Sequence, residues 1–176
     1  RDLGIYNHHQ YWLCQCDCGN FYISYTRNLK QGWLKSCGCL KSYGERDIEK
    51  LLDESGIPYI TQYTYNNCRF PNTNRPAKFD FLVNNLYVIE YDGDQHFKNS
   101  HGRFKSTLSE IRYRDLVKNS YCFQNNIPII RIPYTHLNKI CIEDLLLETS
   151  QFVLTPENEA EYFPNSDEIL GGEIIS

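Results

Sequence analysis

The sequence predicts an α+β fold, a mixed β-sheet flanked by helices, preceded by a small metal-stabilised module. Three observations support this prediction: clustered cysteines near the N-terminus, two consecutive strand-like runs at Lys78–Val83 and Tyr87–Asp92, and helical patterns before and after those runs. The chain has 176 residues, of which 41% are hydrophobic and 14% aromatic. It can therefore bury a real core, and global disorder is excluded.

The cysteines near the N-terminus predict a metal site. Five of the eight cysteines lie there, namely Cys14, Cys16, Cys18, Cys37 and Cys39. Thiols one residue apart bridge each other poorly but can bind one soft cation, and Gly19 and Gly38 permit the tight turns of such a site. We expect four thiolates around a structural Zn²⁺. The symmetric set is Cys16, Cys18, Cys37 and Cys39, with Cys14 as the alternative to Cys16. Disulfides or free thiols are the competing interpretation.

This module spans residues 1–42 and has more basic than acidic side chains, unlike the chain as a whole. Residues 1–43 contain five basic and two acidic side chains, whereas the net charge of the whole chain is -4. Lys30 and Lys35 are predicted to contact nucleic-acid phosphates, and a solvated face explains them equally well. From Trp12 to Cys39 the stretch resembles the zinc ribbons at the N-termini of many phage and mobile-element proteins, which are often linked to nucleases.

A second domain is predicted over residues 43–150. Ser42 and Glu45 have the spacing of a capping box, so a helix should begin there, bury Ile48 and Leu52, and end before Gly56. An extended segment at 59–65 follows, then the two strand-like runs. A helix at 107–124, a buried strand at 127–132 and a closing helix at 142–152 complete the order. Residues 151–176 are predicted to be a loosely ordered acidic tail.

The two strand-like runs predict a hairpin with chemically different faces. One face carries apolar side chains: Phe79, Phe81, Val83, Tyr87, Ile89 and Tyr91. The other carries Asp80, Glu90 and Asp92, provided that Asp80 lies across from Glu90. That register needs an odd-length connection such as the three residues 84–86, because a two-residue turn would separate Asp80 from Glu90.

These carboxylates predict a catalytic metal. Carboxylates gathered at one point repel each other unless a cation neutralises them, and oxygen ligands indicate Mg²⁺ or Mn²⁺. Asp80, Glu90 and Asp92 are the carboxylates expected to gather around it. His96 follows the turn at Gly93 and has the chemistry to move protons. One acidic residue on a strand usually faces solvent, and one histidine usually lies on the surface. The prediction therefore rests on the combination of the strand carboxylates with His96.

The combination resembles a nuclease family. Asp80, Glu90 and Asp92 resemble the PD-(D/E)xK nuclease core, with Asp92 in place of its lysine. The match is closer to the very-short-patch-repair-like branch and its EDxHD homing endonucleases, whose site residues are matched by Glu45, Asp80, His96 and Asp115. Capping also explains Glu45, and an ion pair with a neighbouring arginine also explains Asp115. The electrostatic role of the missing lysine could fall to Gln95, to His96 or to a second metal.

The resemblance implies a restriction-endonuclease-like fold and a metal-dependent endonuclease acting on double-stranded DNA, of phage or mobile-element homing type. Repair, restriction or defence nucleases of the same fold, and an inert zinc-dependent DNA-binding protein, are the alternatives. Backbone contacts are expected from Arg103, Lys105, Arg112 and Arg114. Cleavage of two strands by one site per chain suggests a homodimer. The sequence has no apolar run long enough to span a membrane and no apolar leader, so an intracellular location is expected.

Overall fold

The structure is a computed structural model that describes residues 1–16, 19, 21–32, 42–98 and 107–163. The chain divides into two compact units, Arg1–Ser42 and Tyr43–Ser176. Both units contain β-sheet and helix, so the α+β class is confirmed. Among the described helices, none has the length and apolar character needed to cross a membrane.

The first unit is a three-stranded antiparallel sheet with one short helix. Strands β1 (Asp2–Tyr6), β2 (His9–Gln15) and β3 (Phe21–Tyr25) lie in that order, and α1 (Thr26–Lys30) follows. Cys14 lies within β2 opposite Tyr22, and Cys16 follows the end of β2. The predicted zinc ligands Cys18, Cys37 and Cys39, and the predicted phosphate contact Lys35, lie outside the described residues.

The second unit is built on a five-stranded mixed sheet. Its elements are α2 (Tyr43–Glu54), β4 (Tyr59–Tyr63), β5 (Phe79–Val83), β6 (Tyr87–Asp92), α3 (Leu108–Gln124), β7 (Ile129–Pro133), β8 (Val153–Leu154) and α4 (Glu159–Tyr162). The strands lie in sequence order, with β6 and β7 parallel and every other neighbouring pair antiparallel. The parallel pair needs a long crossover connection, and α3 provides it.

Two hydrophobic cores cover the two faces of this sheet. Ile48 and Leu52 of α2 pack with Phe81 and Ile89, whereas Cys122 of α3 packs in a separate cluster with Leu82 and Val88 of the same two strands. The sheet therefore lies between α2 and α3, and side chains at the ends of its central strands can meet residues of both helices.

A glycine permits the close approach of α2 to β6. A Cβ atom on Gly44 would lie 2.3 Å from the ring of Tyr91, a separation that real Cβ contacts do not show. Glycine at this position therefore lets the first turn of α2, which also contains Glu45, approach the ring of Tyr91 closely.

The predicted hairpin register is confirmed. Phe81 lies opposite Ile89 and Val83 opposite Tyr87, and the connection contains three residues, two of them asparagines with positive φ. The paired residues end at Phe81 and Ile89, and the next residues of the two strands, Asp80 and Glu90, meet through a bond from the N–H of Asp80 to the carboxylate of Glu90. One detail of the predicted faces is wrong, because Phe79 belongs to the core beneath α3, where its ring contacts Tyr65.

The predicted closing helix at 142–152 is wrong. Only Ile142–Leu145 is helical, as a short 3₁₀ turn. The hydroxyl of Thr149 donates to the carbonyl of Glu143, and the hydroxyl of Ser150 donates to the carbonyl of Asp144. These side chains satisfy carbonyls that a continuing helix would need, and the chain leaves the helical path.

The prediction of a loose tail from residue 151 is wrong for residues 153–163. Strand β8 pairs with β7, α4 follows it, and Phe163 is buried at 4% exposure. This closing segment, residues 153–163, completes the sheet and packs close to α3. Residues 164–176 lie outside the described part of the chain.

Candidate active site

Asp80 and Glu90 lie side by side on adjacent strands, and we call them the carboxylate pair. The backbone N–H of Asp80 donates to Glu90 Oε1 at 3.3 Å, and Asp80 Oδ2 accepts from the backbone N–H of Tyr91 at 2.9 Å. These bonds hold both carboxylates between β5 and β6. Among the described residues, no donor bonds to Asp80 Oδ1, so this oxygen is available to a ligand.

Burial makes the charged form of the pair costly. It raises the pKa of Asp80 well above its usual range, and the nearby charges of Glu90 and Glu45 raise it further. Burial also raises the pKa of Glu90, although Lys118 and Arg131 oppose that rise. A site that disfavours its own negative charge in this way favours binding of a cation.

Lys118 of α3 supplies a positive charge beside the pair. Its Nζ lies 2.7 Å from Glu90 Oε2, and the charges of Glu90 and Asp80 raise the pKa of Lys118 even though burial opposes this. Lys118 was not predicted from the sequence, because a lysine within a helix is usually a solvent-facing residue.

A second group of buried polar and charged residues lies at the C-terminal end of β6, and we call it the arginine cluster: Arg131, Asp92, Asp115 and Asn119. The guanidinium of Arg131 is fully buried. It donates to both oxygens of Asp92 at 2.7 and 2.5 Å, to Asp115 Oδ1 at 2.8 Å and to Asn119 Oδ1 at 2.7 Å. These contacts raise the pKa of Arg131 well above its usual range although burial opposes them.

His96 lies at the margin of the arginine cluster, on the 3₁₀ turn Asp94–His96. Its Nδ1 is 2.8 Å from Asp115 Oδ2 and 3.2 Å from Asp92 Oδ1. Burial alone would raise the pKa of Asp115, but the charge of Arg131 and the hydrogen bond with His96 lower it below its ordinary value. An ionised Asp115 accepts from Nδ1–H, so Nε2 of His96 is the nitrogen left for proton exchange.

Asp92, His96 and Asp115 lie close enough together to resemble a metal site, with ligand atoms within 4.8 Å of one another. The donors already present argue against this use. Both Asp92 oxygens accept from Arg131, and Asp92 Oδ2 also accepts from Tyr162. A divalent ion here would have to displace a buried guanidinium, whose removal is costly. Asp92 thus holds Arg131 in this structure, and its direct part in catalysis or metal binding stays a prediction.

The other predicted site residues divide by location. Glu45 lies in the first turn of α2, where Gln62 Nε2 approaches it at 3.4 Å, and its charge acts on Asp80. Arg114 is exposed on α3, and Lys30 is exposed on α1. Arg112, predicted to contact DNA, is instead buried at 3% exposure with its guanidinium 3.9 Å from the centre of the Phe163 ring. Arg103 and Lys105 lie outside the described residues.

The raised pKa of Asp80 gives a test that needs no catalysis. A carboxyl whose pKa is raised by folding contributes stability below its unfolded pKa, and that stability is lost as pH rises through the folded pKa. Ionisation of the pair therefore costs stability once the pH exceeds the folded pKa, and a divalent cation should restore that stability. We expect millimolar Mg²⁺ or Ca²⁺ to raise the melting temperature by several degrees.

The matched variant for this melting experiment is Asp80→Asn. Without metal, at a pH above the folded pKa of Asp80, it should melt at or above the wild-type temperature, because the buried negative charge of Asp80 is gone, and added cation should not shift it. An equal shift in both proteins would place the cation elsewhere.

Comparison with known proteins adds no family to this description: the chain matches no family model, no curated protein and no solved structure.

Proposed function

We propose that this protein is a metal-dependent endonuclease that hydrolyses phosphodiester bonds in double-stranded DNA. One observation carries the proposal: two adjacent carboxylates on β5 and β6, both with raised pKa values, lie beside Lys118 of α3, the helix that also carries Asp115, the hydrogen-bond partner of His96. Phosphodiester hydrolysis requires a cation site, compensation of the phosphate charge and a group that transfers protons. The carboxylate pair, Lys118 and His96 have the chemistry for these three roles.

The carboxylate pair fits a hard divalent cation. Its ligands are carboxylate oxygens, and Asp80 Oδ1 has no donor among the described residues. Asp80 and Glu90 would hold Mg²⁺ or Mn²⁺, and Glu45, whose charge acts on Asp80, would assist through water. When bound, such an ion polarises the phosphate and lowers the pKa of a bound water.

Lys118, Asp115 and His96 would each have a separate role. Lys118 attracts the phosphate and offsets the charge of Glu90. Asp115 fixes Nδ1 of His96, so Nε2 takes a proton from the attacking water or gives one to the leaving 3′-oxygen. Both alternatives use the same nitrogen and the same hydrogen bond to Asp115.

Cleavage of a random-sequence duplex library tests the function. Purified protein is incubated with Mg²⁺ or with EDTA, and the cut ends are sequenced. An Asp80→Asn preparation made in parallel controls for contaminating nucleases. Cuts that need both Mg²⁺ and Asp80 support the endonuclease. Binding without cleavage, unchanged in the variant, favours a DNA-binding protein with an inert nuclease fold.

The positions of the cuts separate the biological classes. One long preferred site favours a homing endonuclease of a phage or mobile element, which is the class we propose. Preference for a mismatched or modified duplex favours a repair or restriction enzyme. Recovery of the active species as a dimer would agree with cutting of both strands by one site per chain.

We also propose a structural zinc ion in the first unit, held by four of the five clustered cysteines. Cys16 is the stronger candidate of the two that the structure describes. Its carbonyl accepts from the N–H of Gly19 at 2.8 Å, and Gly19 has φ +88°, a turn suited to a metal-binding knuckle. Cys14 lies inside β2, and its thiol is directed to the carbonyl of Trp12.

The zinc content of purified variants tests this choice. Cys16→Ser should lose close to the whole equivalent of zinc found in the wild type, whereas Cys14→Ser should keep it. The reverse result would assign Cys14 as the ligand, and a metal-free wild type with paired thiols would support the disulfide interpretation.

A further inference from the structure

Tyr162 joins the closing segment to the arginine cluster. Its hydroxyl donates to Asp92 Oδ2 at 2.8 Å, across 70 residues of sequence. Burial, followed by the charge of Asp92, raises the pKa of Tyr162 well above its usual range. The hydroxyl therefore keeps its proton and acts as a permanent donor to Asp92.

Further contacts fix the closing segment against the same cluster. Glu159 Oε1 accepts from Asn119 Nδ2 at 2.7 Å, and the other side of that amide accepts from Arg131. The guanidinium carbon of Arg131 lies 4.9 Å from the centre of the Phe163 ring. Such contacts between a cation and an aromatic face are favourable and directional. Residues 159–163 thus touch Asp92, Asn119 and Arg131 at once.

The placement of Asp92 decides which carboxylate binds His96. Two acceptors, Asp115 Oδ2 at 2.8 Å and Asp92 Oδ1 at 3.2 Å, compete for the single proton on Nδ1. Tyr162 and Arg131 Nε both donate to Asp92 Oδ2, and Arg131 Nη2 donates to Asp92 Oδ1, so donors other than the imidazole satisfy both oxygens of that carboxylate. Without the hydroxyl, Asp92 holds more negative charge and competes more strongly for Nδ1–H.

We propose that Tyr162 is a positioning residue for His96. By occupying Asp92 it leaves Asp115 as the partner of Nδ1, which fixes the direction in which the imidazole presents Nε2. The inference rests on the proposed endonuclease function for its consequence in catalysis, but the effect on the imidazole is a property of the folded protein alone.

Replacement of Tyr162 by phenylalanine tests the proposal with the ring kept in place. We expect kcat for Mg²⁺-dependent cleavage to fall about 10- to 100-fold, since a small misplacement of a reacting group has effects of this size. The KM for duplex DNA should not change. The matched control is Tyr121→Phe on α3, whose hydroxyl donates to Asn67 Oδ1 outside the arginine cluster, and it should cleave like the wild type.

A second measurement does not depend on cleavage. Nitrogen-15 NMR of the histidine rings should show a change in the Nδ1 and Nε2 signals of His96 in Tyr162→Phe and none in Tyr121→Phe. A changed ring signal in a protein that does not cut DNA would support the positioning role and refute the nuclease. Unchanged His96 signals in a folded Tyr162→Phe protein would overturn the positioning role, whatever happens to cleavage.

Discussion

Replacement of Asp80 by asparagine is expected to reduce Mg²⁺-dependent DNA cleavage by at least about 10³-fold, because the metal contribution it removes amounts to several kcal/mol. Asparagine preserves the shape of the side chain and can still accept from the N–H of Tyr91, so the hairpin should stay intact. What disappears is the negative charge of the carboxylate pair, without which the site holds a divalent cation weakly. Single-turnover cleavage at saturating protein measures this loss.

The control for this experiment is Asp94→Asn. Asp94 is exposed on the 3₁₀ turn that carries His96, two residues beyond the end of β6. Asp94→Asn makes the same chemical change near the site without touching the carboxylate pair. Its cleavage rate should lie within about twofold of the wild-type rate, because surface changes generally have small effects. Equal rates for wild type and Asp80→Asn would show that the pair holds no essential cation, and the proposed mechanism would fail.

The central hairpin was predictable because strand alternation has an exact period of two residues. Once a three-residue connection follows Val83, the pairing of Phe81 with Ile89 is a geometric consequence, and it brings Asp80 and Glu90 next to each other. The start of α2 was predictable for a similar reason, since its signals are local in sequence. The structure confirms α3 within one residue of its predicted start and adds a capping box between Thr107 and Glu110.

The arginine cluster was less accessible to sequence reasoning, because its contacts join distant residues. Arg131 is the only charged residue in β7, and a charge inside an apolar strand must be paired if the strand is buried. That signal was present, but its partners on β6 and α3 could not be assigned without the parallel pairing of β6 with β7. Lys118 and Asn119 carry no local signal at all, since polar residues are ordinary on a helix.

The closing segment shows a different limit. Residues 151–176 contain six acids and no lysine or arginine, a composition that favours an extended, solvated tail. Two of its acids lie in α4, yet Glu159 accepts a hydrogen bond from the amide of Asn119, and the hydroxyl of Tyr162 donates one to Asp92. Composition describes the average of a segment, whereas its packing here depends on a few side chains. Sequence reasoning therefore misassigned residues 153–163 and missed Tyr162.

Replacement of Arg131 by methionine is expected to lower the free energy of unfolding by about 3–5 kcal/mol, the usual cost of breaking a buried ion pair from one side. Methionine fills part of the volume but leaves the carboxylates of Asp92 and Asp115 buried without their main cation. Urea unfolding followed by circular dichroism measures the loss. The control is Arg69→Met, since Arg69 is exposed and its guanidinium donates to the carbonyl of Asn74 near the surface, so little change is expected.

Combining Arg131→Met with Asp92→Asn and Asp115→Asn separates stability from function. Neutral amides remove the unpaired charges, so the triple variant should recover part of the lost stability. It should not recover cleavage, because the side chain at position 115 then presents an amide where His96 needs an ionised acceptor for Nδ1–H. Full recovery of both would mean that the charges of the cluster serve neither the fold nor the imidazole. Recovery of stability alone would identify the arginine cluster as the support of His96, retained for its effect on the site.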